Sequence, residues 1–291
     1  MNMKPDCLAC LYTQMLRVTK AVECSESCAT EVMEESAERL AHLRMDQTPP
    51  EAAAILYPAA SEAVGEADPY RKKKAESIAK AQRLLPGVRE RIDRSADPLD
   101  AALRAAVAGN VIDFATEVSF DLEEEIDRIF EAEFGWDDKA DFLERLGRAR
   151  RLAVIGDNVG EHLFDKVMME RFRAAYPDLA IDYFVRGRPI INDVTVTEAR
   201  EAGIDEVARI VDSGVDTPGF LPGRASEVGR AAFEDADLIL AKGMGNFECM
   251  ESWADARVFF LFKVKCSVVA AKVGREVGDL VCLAAEHYAR M

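Results

Sequence analysis

The sequence predicts an α/β protein, with a doubly wound, mainly parallel sheet in residues 151–291 and an all-helical region in residues 1–150 before it. Two textures carry this expectation. Up to about Arg150 the chain is rich in Ala, Glu, Arg and Leu, and apolar residues recur at spacings of three and four. Ile126, Ile129 and Phe130 show this, as do Phe142, Leu143 and Leu146. Beyond Arg150, short β-branched or aromatic runs alternate with helical stretches, the pattern of crossover units in a parallel sheet.

The helical region breaks at Thr48-Pro49-Pro50, Ala67-Asp68-Pro69, Leu85-Pro86-Gly87 and Ala96-Asp97-Pro98. At several of these a capping side chain or a proline would begin a new helix. The basic run Arg71-Lys72-Lys73-Lys74 reads as a solvated helix face. The strands expected after it are Arg151–Gly156, Ala180–Arg186, Glu206–Val211, Leu238–Lys242, Val258–Phe262 and Leu280–Ala284. Helices such as Gly160–Ala175 and Arg224–Phe233 separate them. Near-continuous apolar runs like Leu238-Ile239-Leu240 fit strands covered on both faces.

Acidic residues outnumber basic ones 53 to 37, for a formal charge of −16. A surface of that sign repels phosphate backbones and anionic lipid, so neither nucleic acid nor a membrane is an expected partner. A small anionic substrate remains compatible, because a metal ion and a few lysines can reverse the field inside one cleft. The 49% of apolar residues suffices for a sizeable core, and no run approaches the roughly 20 apolar residues of a membrane span. The N-terminus lacks the charged and apolar regions of a secretory signal, so a cytoplasmic protein is expected. Seven cysteines, an odd number, point to reduced thiols rather than a disulfide framework.

Doubly wound sheets bind ligands beyond the carboxyl ends of their strands. Those ends are Gly156-Asp157-Asn158-Val159-Gly160-Glu161, Arg186-Gly187-Arg188-Pro189-Ile190-Ile191-Asn192-Asp193, Lys242-Gly243-Met244-Gly245-Asn246-Phe247-Glu248 and Lys263-Val264-Lys265-Cys266. Asp157, Asp193 and the amide oxygen of Asn158 offer the all-oxygen ligand set of a hard divalent cation such as Mg²⁺ or Mn²⁺ and its neighbours. Lys242 and Lys265 would neutralise a phosphate held there. The Gly243-Met244-Gly245 turn would let backbone N–H groups approach it. Glu161, one turn into the next helix, could order a water or a substrate hydroxyl. Taken singly, an Asp-Asn pair after a strand is a common cap and turn. The glycine loop is neither a dinucleotide fingerprint, lacking its third glycine, nor a P-loop, since Lys242 precedes the glycines.

The ordered set Gly156-Asp157-Asn158-x-Gly160-Glu161, Arg188-Pro189-x-x-Asn192-Asp193-Val194-Thr195 and Lys242-Gly243-x-Gly245-Asn246 resembles the damage-control phosphatases. Gly109-Asn110-Val111-Ile112-Asp113 and Cys7-x-x-Cys10 are similar to the prokaryotic subgroup with a cysteine pair. The resemblance implies a three-layer α/β/α domain and hydrolysis of phosphate monoesters of small metabolites, sugar phosphates or damaged and surplus cofactor intermediates. It implies a divalent ion (Mg, Mn, Co or Ni) on Asp157, Asn158 and Asp193. Catalytic roles are implied for Asp157, Glu161 and Lys242. Substrate contacts are implied for Glu161, Arg188, Lys242, Gly243, Gly245, Asn246 and Lys265, with Asn110 and Asp113 joining them. The eukaryotic branch carries Arg-Thr-x-Lys where this chain has Phe262-Lys263-Val264-Lys265, keeping only the last lysine. The nucleophile is open between a metal-activated water and the Asp157 carboxylate.

Cys7 and Cys10 are candidates for a redox pair or, with Cys24 and Cys28, for a zinc site, against a plain reading as packing residues. Two other functions are weighed: a carboxyl methyltransferase, as proposed for a eukaryotic branch of the similar family, and a non-catalytic metal or thiol sensor. The first has no glycine-rich loop after the first strand suited to an adenosyl cofactor.

Overall fold

The computed structural model describes residues 1–107 and 122–288. Its strands are β1 (Phe134–Asp137), β2 (Arg151–Ile155), β3 (Ala180–Val185), β4 (Arg209–Asp212), β5 (Leu238–Lys242), β6 (Val258–Lys263) and β7 (Leu280–Ala284). They form one sheet of seven in the order β1-β7-β6-β5-β2-β3-β4. All pairs are parallel except β6 with β7. From β2 the chain winds outward through β3 to β4, then returns through β5 on the other side of β2. The order therefore reverses between β2 and β5, the position beyond whose strand ends doubly wound sheets form their ligand crevice.

The apolar runs read from the sequence divide by parity between two cores. Leu152 and Val154, Leu238 and Leu240, and Phe259 and Leu261 face one side. There they meet α4 (Arg71–Asp93), α5 (Pro98–Ala106), α6 (Leu122–Glu131), α7 (Lys139–Leu146), α8 (Glu161–Ala175) and α9 (Val196–Glu201). Ala153 and Ile155, Ile239 and Ala241, and Phe260 and Phe262 face the other. That face is covered by α10 (Glu227–Glu234), α11 (Gly243–Met250), α12 (Ser267–Val273) and α13 (Ala285–Tyr288). Each fully buried Leu, Ile or Phe contributes about 1.5–3 kcal/mol, so the sandwiched strands anchor the fold.

The first three helices, α1 (Pro5–Ala21), α2 (Glu26–Ala41) and α3 (Pro49–Val64), form a separate core. α1 presents Cys7, Leu11, Met15 and Val18 along one stripe. α3 starts in a capping box in which Thr48 and Glu51 satisfy each other's backbone N–H groups. This core reaches Ile190 and Ile191 beyond β3 and Val268 beyond β6, so it sits over the carboxyl ends of the strands. The N-terminal amino group adds a tie, donating to the Glu248 carbonyl and pairing with Glu251 at 3.4 Å.

Four expectations need correction. Leu85-Pro86-Gly87 does not break the chain, because α4 runs straight through it with Pro86 inside. Lys74, expected on a solvated helix face, is 3% exposed and pairs with Asp68 and Glu198, both at 2.9 Å. Residues 134–137, placed in the all-helical region, form strand β1. It is a short edge strand with alternating half-buried and exposed residues, paired with β7 alone, so it carries no apolar run to announce it. The strand expected at Glu206–Val211 begins at Arg209, because Ile204–Glu206 close a tight helical turn. Among the described residues no helix is long and apolar enough to cross a membrane.

Candidate active site

Asp157 and Asp193 come from different strand ends, and backbone pairing joins them. Val194 N–H donates to the Asp157 carbonyl and Val159 N–H to that of Asn192, at 2.9 and 2.8 Å. Asn158 and Asp193 thereby form an isolated antiparallel bridge. The segment after β3 turns back through Ile191, whose φ of 47° is left-handed and costly for a β-branched residue. That turn brings Asp193 back to the β2 end although it lies well beyond its own strand.

Asp157 lies against the first residue of α11. A Cβ on Gly243 would fall 2.0 Å from the Asp157 Oδ2, and Gly243 has a φ of +79°, so both space and backbone demand glycine. The Asn158 amide Nδ2 donates to Asp157 Oδ2 at 2.7 Å and to Glu161 Oε1 at 2.9 Å, drawing the two acids together. Glu161 opens α8 after Gly160, whose N–H donates to His162 Nδ1 at 3.0 Å. Burial holds that imidazole down to about 4, so it is neutral and serves the turn.

The acids are enclosed: Asp157 is 8% exposed, and Glu161 and Asp193 are 2% each. Burial pushes the Glu161 carboxyl up to about 7, helped by the Asp157 charge. Burial likewise lifts Asp193 to about 7, with Arg186 opposing and Asp157 adding. Asp157 is also raised by burial, against Lys265, Arg186 and Lys242. The Asp157 charge thus raises both neighbouring acids, and burial keeps all three carboxyl groups up despite the cations around them. Their oxygens, with the Asn158 amide, suit a hard divalent ion.

The remaining sequence candidates fall in different places. Lys242 was expected to neutralise a phosphate, yet it is fully buried and its Nζ donates to Asp165 Oδ1 and the Ala106 carbonyl, both at 2.6 Å. Burial acts to lower its pKa, but Asp165 and Glu161 outweigh that and hold the ammonium above its ordinary value. Lys242 thus acts on the acids through space. Asn246, expected to touch substrate, is a clamp: its Nδ2 donates to the Lys242 carbonyl at 2.5 Å and its Oδ1 accepts Phe220 N–H at 2.7 Å. Gly245 packs against the Pro218 carbonyl, which a Cβ would meet at 1.9 Å. Arg188 is exposed and paired with Asp216 at 2.7 Å. Lys265 is exposed, yet its charge is the strongest cationic influence on Asp157, so it stands at the mouth. Asn110 and Asp113 lie outside the described residues.

Cys7 is buried in α1 and Cys10 is exposed. Burial raises the Cys7 thiol, with Glu248, Cys266 and Cys10 adding to it, which places the pair beside the α11 and α12 end of the crevice. Cys10 accepts from Gln14 Nε2 at 3.3 Å, and Gln14 Oε1 accepts from Tyr57 OH at 2.9 Å. Cys24 and Cys28 lie past the far end of α1, about 20 Å away at 1.5 Å per residue, so the four cysteines do not form one zinc site.

Three side chains missed by sequence reasoning shape the site. Arg186, 1% exposed, donates from Nε to Asp193 Oδ2 at 2.7 Å. Asp165 neutralises Lys242, and Tyr183 OH donates to the other Asp165 oxygen at 2.9 Å. A charged residue closing a buried strand run, and an acid one turn after Glu161, were the available signals. Asp141, Glu286 and His287 form another acidic and histidine group that could hold a metal ion. It lies on α7 and α13 at the opposite end of the sheet, and Arg145 already pairs with both of its carboxylates.

The sequence pattern described as the damage-control phosphatase ARMT1-like domain matches residues 3–281. The chain belongs to this family of phosphatases. It is similar to the damage-control phosphatase PH1575 of Pyrococcus horikoshii, with 30% identity over 97% of this chain and 98% of that one. A damage-control phosphatase of Archaeoglobus fulgidus is 31% identical over 98% and 100% of the two chains. The crystal structure of the DUF89 family protein from P. horikoshii superposes with a TM-score of 0.90 at 31% identity, covering 98% of this chain and 99% of that one.

Proposed function

We propose that this protein hydrolyses phosphate monoesters of small metabolites with the help of a divalent ion held by Asp157, Asn158 and Asp193. The observation that carries this reading is the burial of Asp157, Glu161 and Asp193 together at the sheet's switch point, against the first turn of α11. Free backbone N–H groups of a helix's first turn suit phosphoryl oxygens. The enclosure of the acids favours a small ester over a phosphorylated macromolecule. Bound there, the ion supplies Lewis-acid and in-line-template chemistry. Glu161, lifted to about 7, is placed to accept the proton of an attacking water. Lys265 offsets charge at the mouth. Asp157, pinned by Gly243 and by Asn158, is better placed to bind the ion than to attack phosphorus, so water is the nucleophile. The seven free cysteines suit a reducing, cytoplasmic setting.

The test is phosphate release from a panel of sugar phosphates and cofactor-derived esters with Mg²⁺, Mn²⁺, Co²⁺ or Ni²⁺. Release that disappears in EDTA and returns with the metal is expected. Release indifferent to EDTA, or none from any ester, overturns the proposal.

Gly243→Ala offers a local check. Its methyl group collides with the Asp157 carboxylate, so metal affinity is expected to fall about 10- to 100-fold, the range for losing support of a metal ligand. Calorimetric titration with Mn²⁺ measures this, and wild-type affinity would show that Asp157 does not need this seat to bind the ion.

A further inference from the structure

Arg186 follows the last residue of β3 and is 1% exposed. Nε is committed to Asp193 Oδ2 at 2.7 Å. Nη2 reaches Asn246 Oδ1 on α11 at 3.5 Å. Nη1 is shielded from solvent and has no hydrogen-bond partner among the described residues. The guanidinium thus lies between Asp193 and the first turns of α11, and one corner of its fork is unused. A buried N–H without an acceptor is rare in folded proteins and calls for an explanation.

A lysine would suffice to neutralise Asp193. An arginine in its place brings a planar fork whose additional donors suit a tetrahedral oxyanion. The other buried cation at this end, Lys242, has its ammonium spent on Asp165 and the Ala106 carbonyl. Lys265 is exposed at the mouth. Among the described residues, Arg186 is the buried cation beside Asp193 and α11 with a donor to spare.

We infer that Arg186 binds a phosphoryl oxygen through Nη1, holding the group between Asp193 and the first turn of α11. The inference rests on the phosphatase reading for its ligand. It makes Arg186 a substrate-binding residue and moves to it the role expected of Lys242. The same side chain, through Nε, fixes the orientation of Asp193.

Crystals of the wild-type protein loaded with Mn²⁺ and soaked in tungstate, a phosphate-shaped oxyanion, test the contact. An oxyanion oxygen within hydrogen-bond distance of Nη1 is expected. Arg186→Lys keeps the charge on Asp193 and loses the spare donor. It should still fold and bind Mn²⁺ while binding inorganic phosphate about tenfold to a hundredfold more weakly by calorimetry. Tungstate bound away from Nη1, tungstate absent from the crevice, or unchanged phosphate affinity in Arg186→Lys overturns the inference. Should the variant fail to fold, the tungstate structure decides alone. Tungstate on Nη1 in a protein that releases no phosphate would fell the phosphatase reading and leave this contact standing. Metal-dependent release with the oxyanion elsewhere would do the reverse.

Discussion

Asp157→Ala and Asp193→Ala are each expected to lower metal-dependent phosphate release by more than about a thousandfold, roughly 4 kcal/mol of transition-state stabilisation. Both remove a carboxylate from the proposed ion site, but their effects on the fold should differ. The Asp157 charge raises both Glu161 and Asp193, so its loss relieves repulsion in the unloaded protein. Asp193 is the partner of the fully buried Arg186. Removing it leaves a guanidinium uncompensated in the interior, a cost of about 3–5 kcal/mol. Asp157→Ala should therefore melt near the wild type while Asp193→Ala melts lower, and both should lose bound metal by elemental analysis. Wild-type turnover in either variant would sink the ligand assignment.

The sheet was legible because burial on both faces writes apolar runs into the chain, and Leu238–Lys242 matches its strand residue for residue. β1 was not, because an edge strand half open to solvent needs no such run. The strand-end positions of Asp157 and Gly243 could be anticipated from topology, since both follow a strand beside the switch point. The arrival of Asp193 depends on a backbone turn through Ile191 and pairing with residues 157–159, and no local pattern announces that. Lys242 and Arg186 show the same limit in side chains. Both are cations closing buried strands, and their roles are set by partners far apart in sequence. Asp165 takes the Lys242 ammonium from 77 residues away, whereas Asp193 leaves one corner of Arg186 unused.

Lys242→Met is expected to lower stability by about 3–5 kcal/mol, because it strands the Asp165 carboxylate in the core with Tyr183 as its remaining hydrogen-bond donor among the described residues. At about 2–4 °C per kcal/mol for a protein of this size class, the melting temperature should fall by roughly 6–20 °C. Lys242→Met combined with Asp165→Leu replaces the ion pair by apolar groups and should recover most of that loss. A single variant melting within about 2 °C of wild type would show that the pair carries little stability, as would a double variant no better than the single. Activity separates structural support from electrostatic support. Lys242 holds the Glu161 carboxyl below where burial and Asp157 would otherwise drive it. Without that charge Glu161 keeps its proton to a higher pH. If Glu161 acts as the base, the acid limb of the pH–rate profile should move upward in the stabilised double variant. A refolded double variant with an unshifted acid limb would mean that Glu161 is not the group whose ionisation limits the reaction.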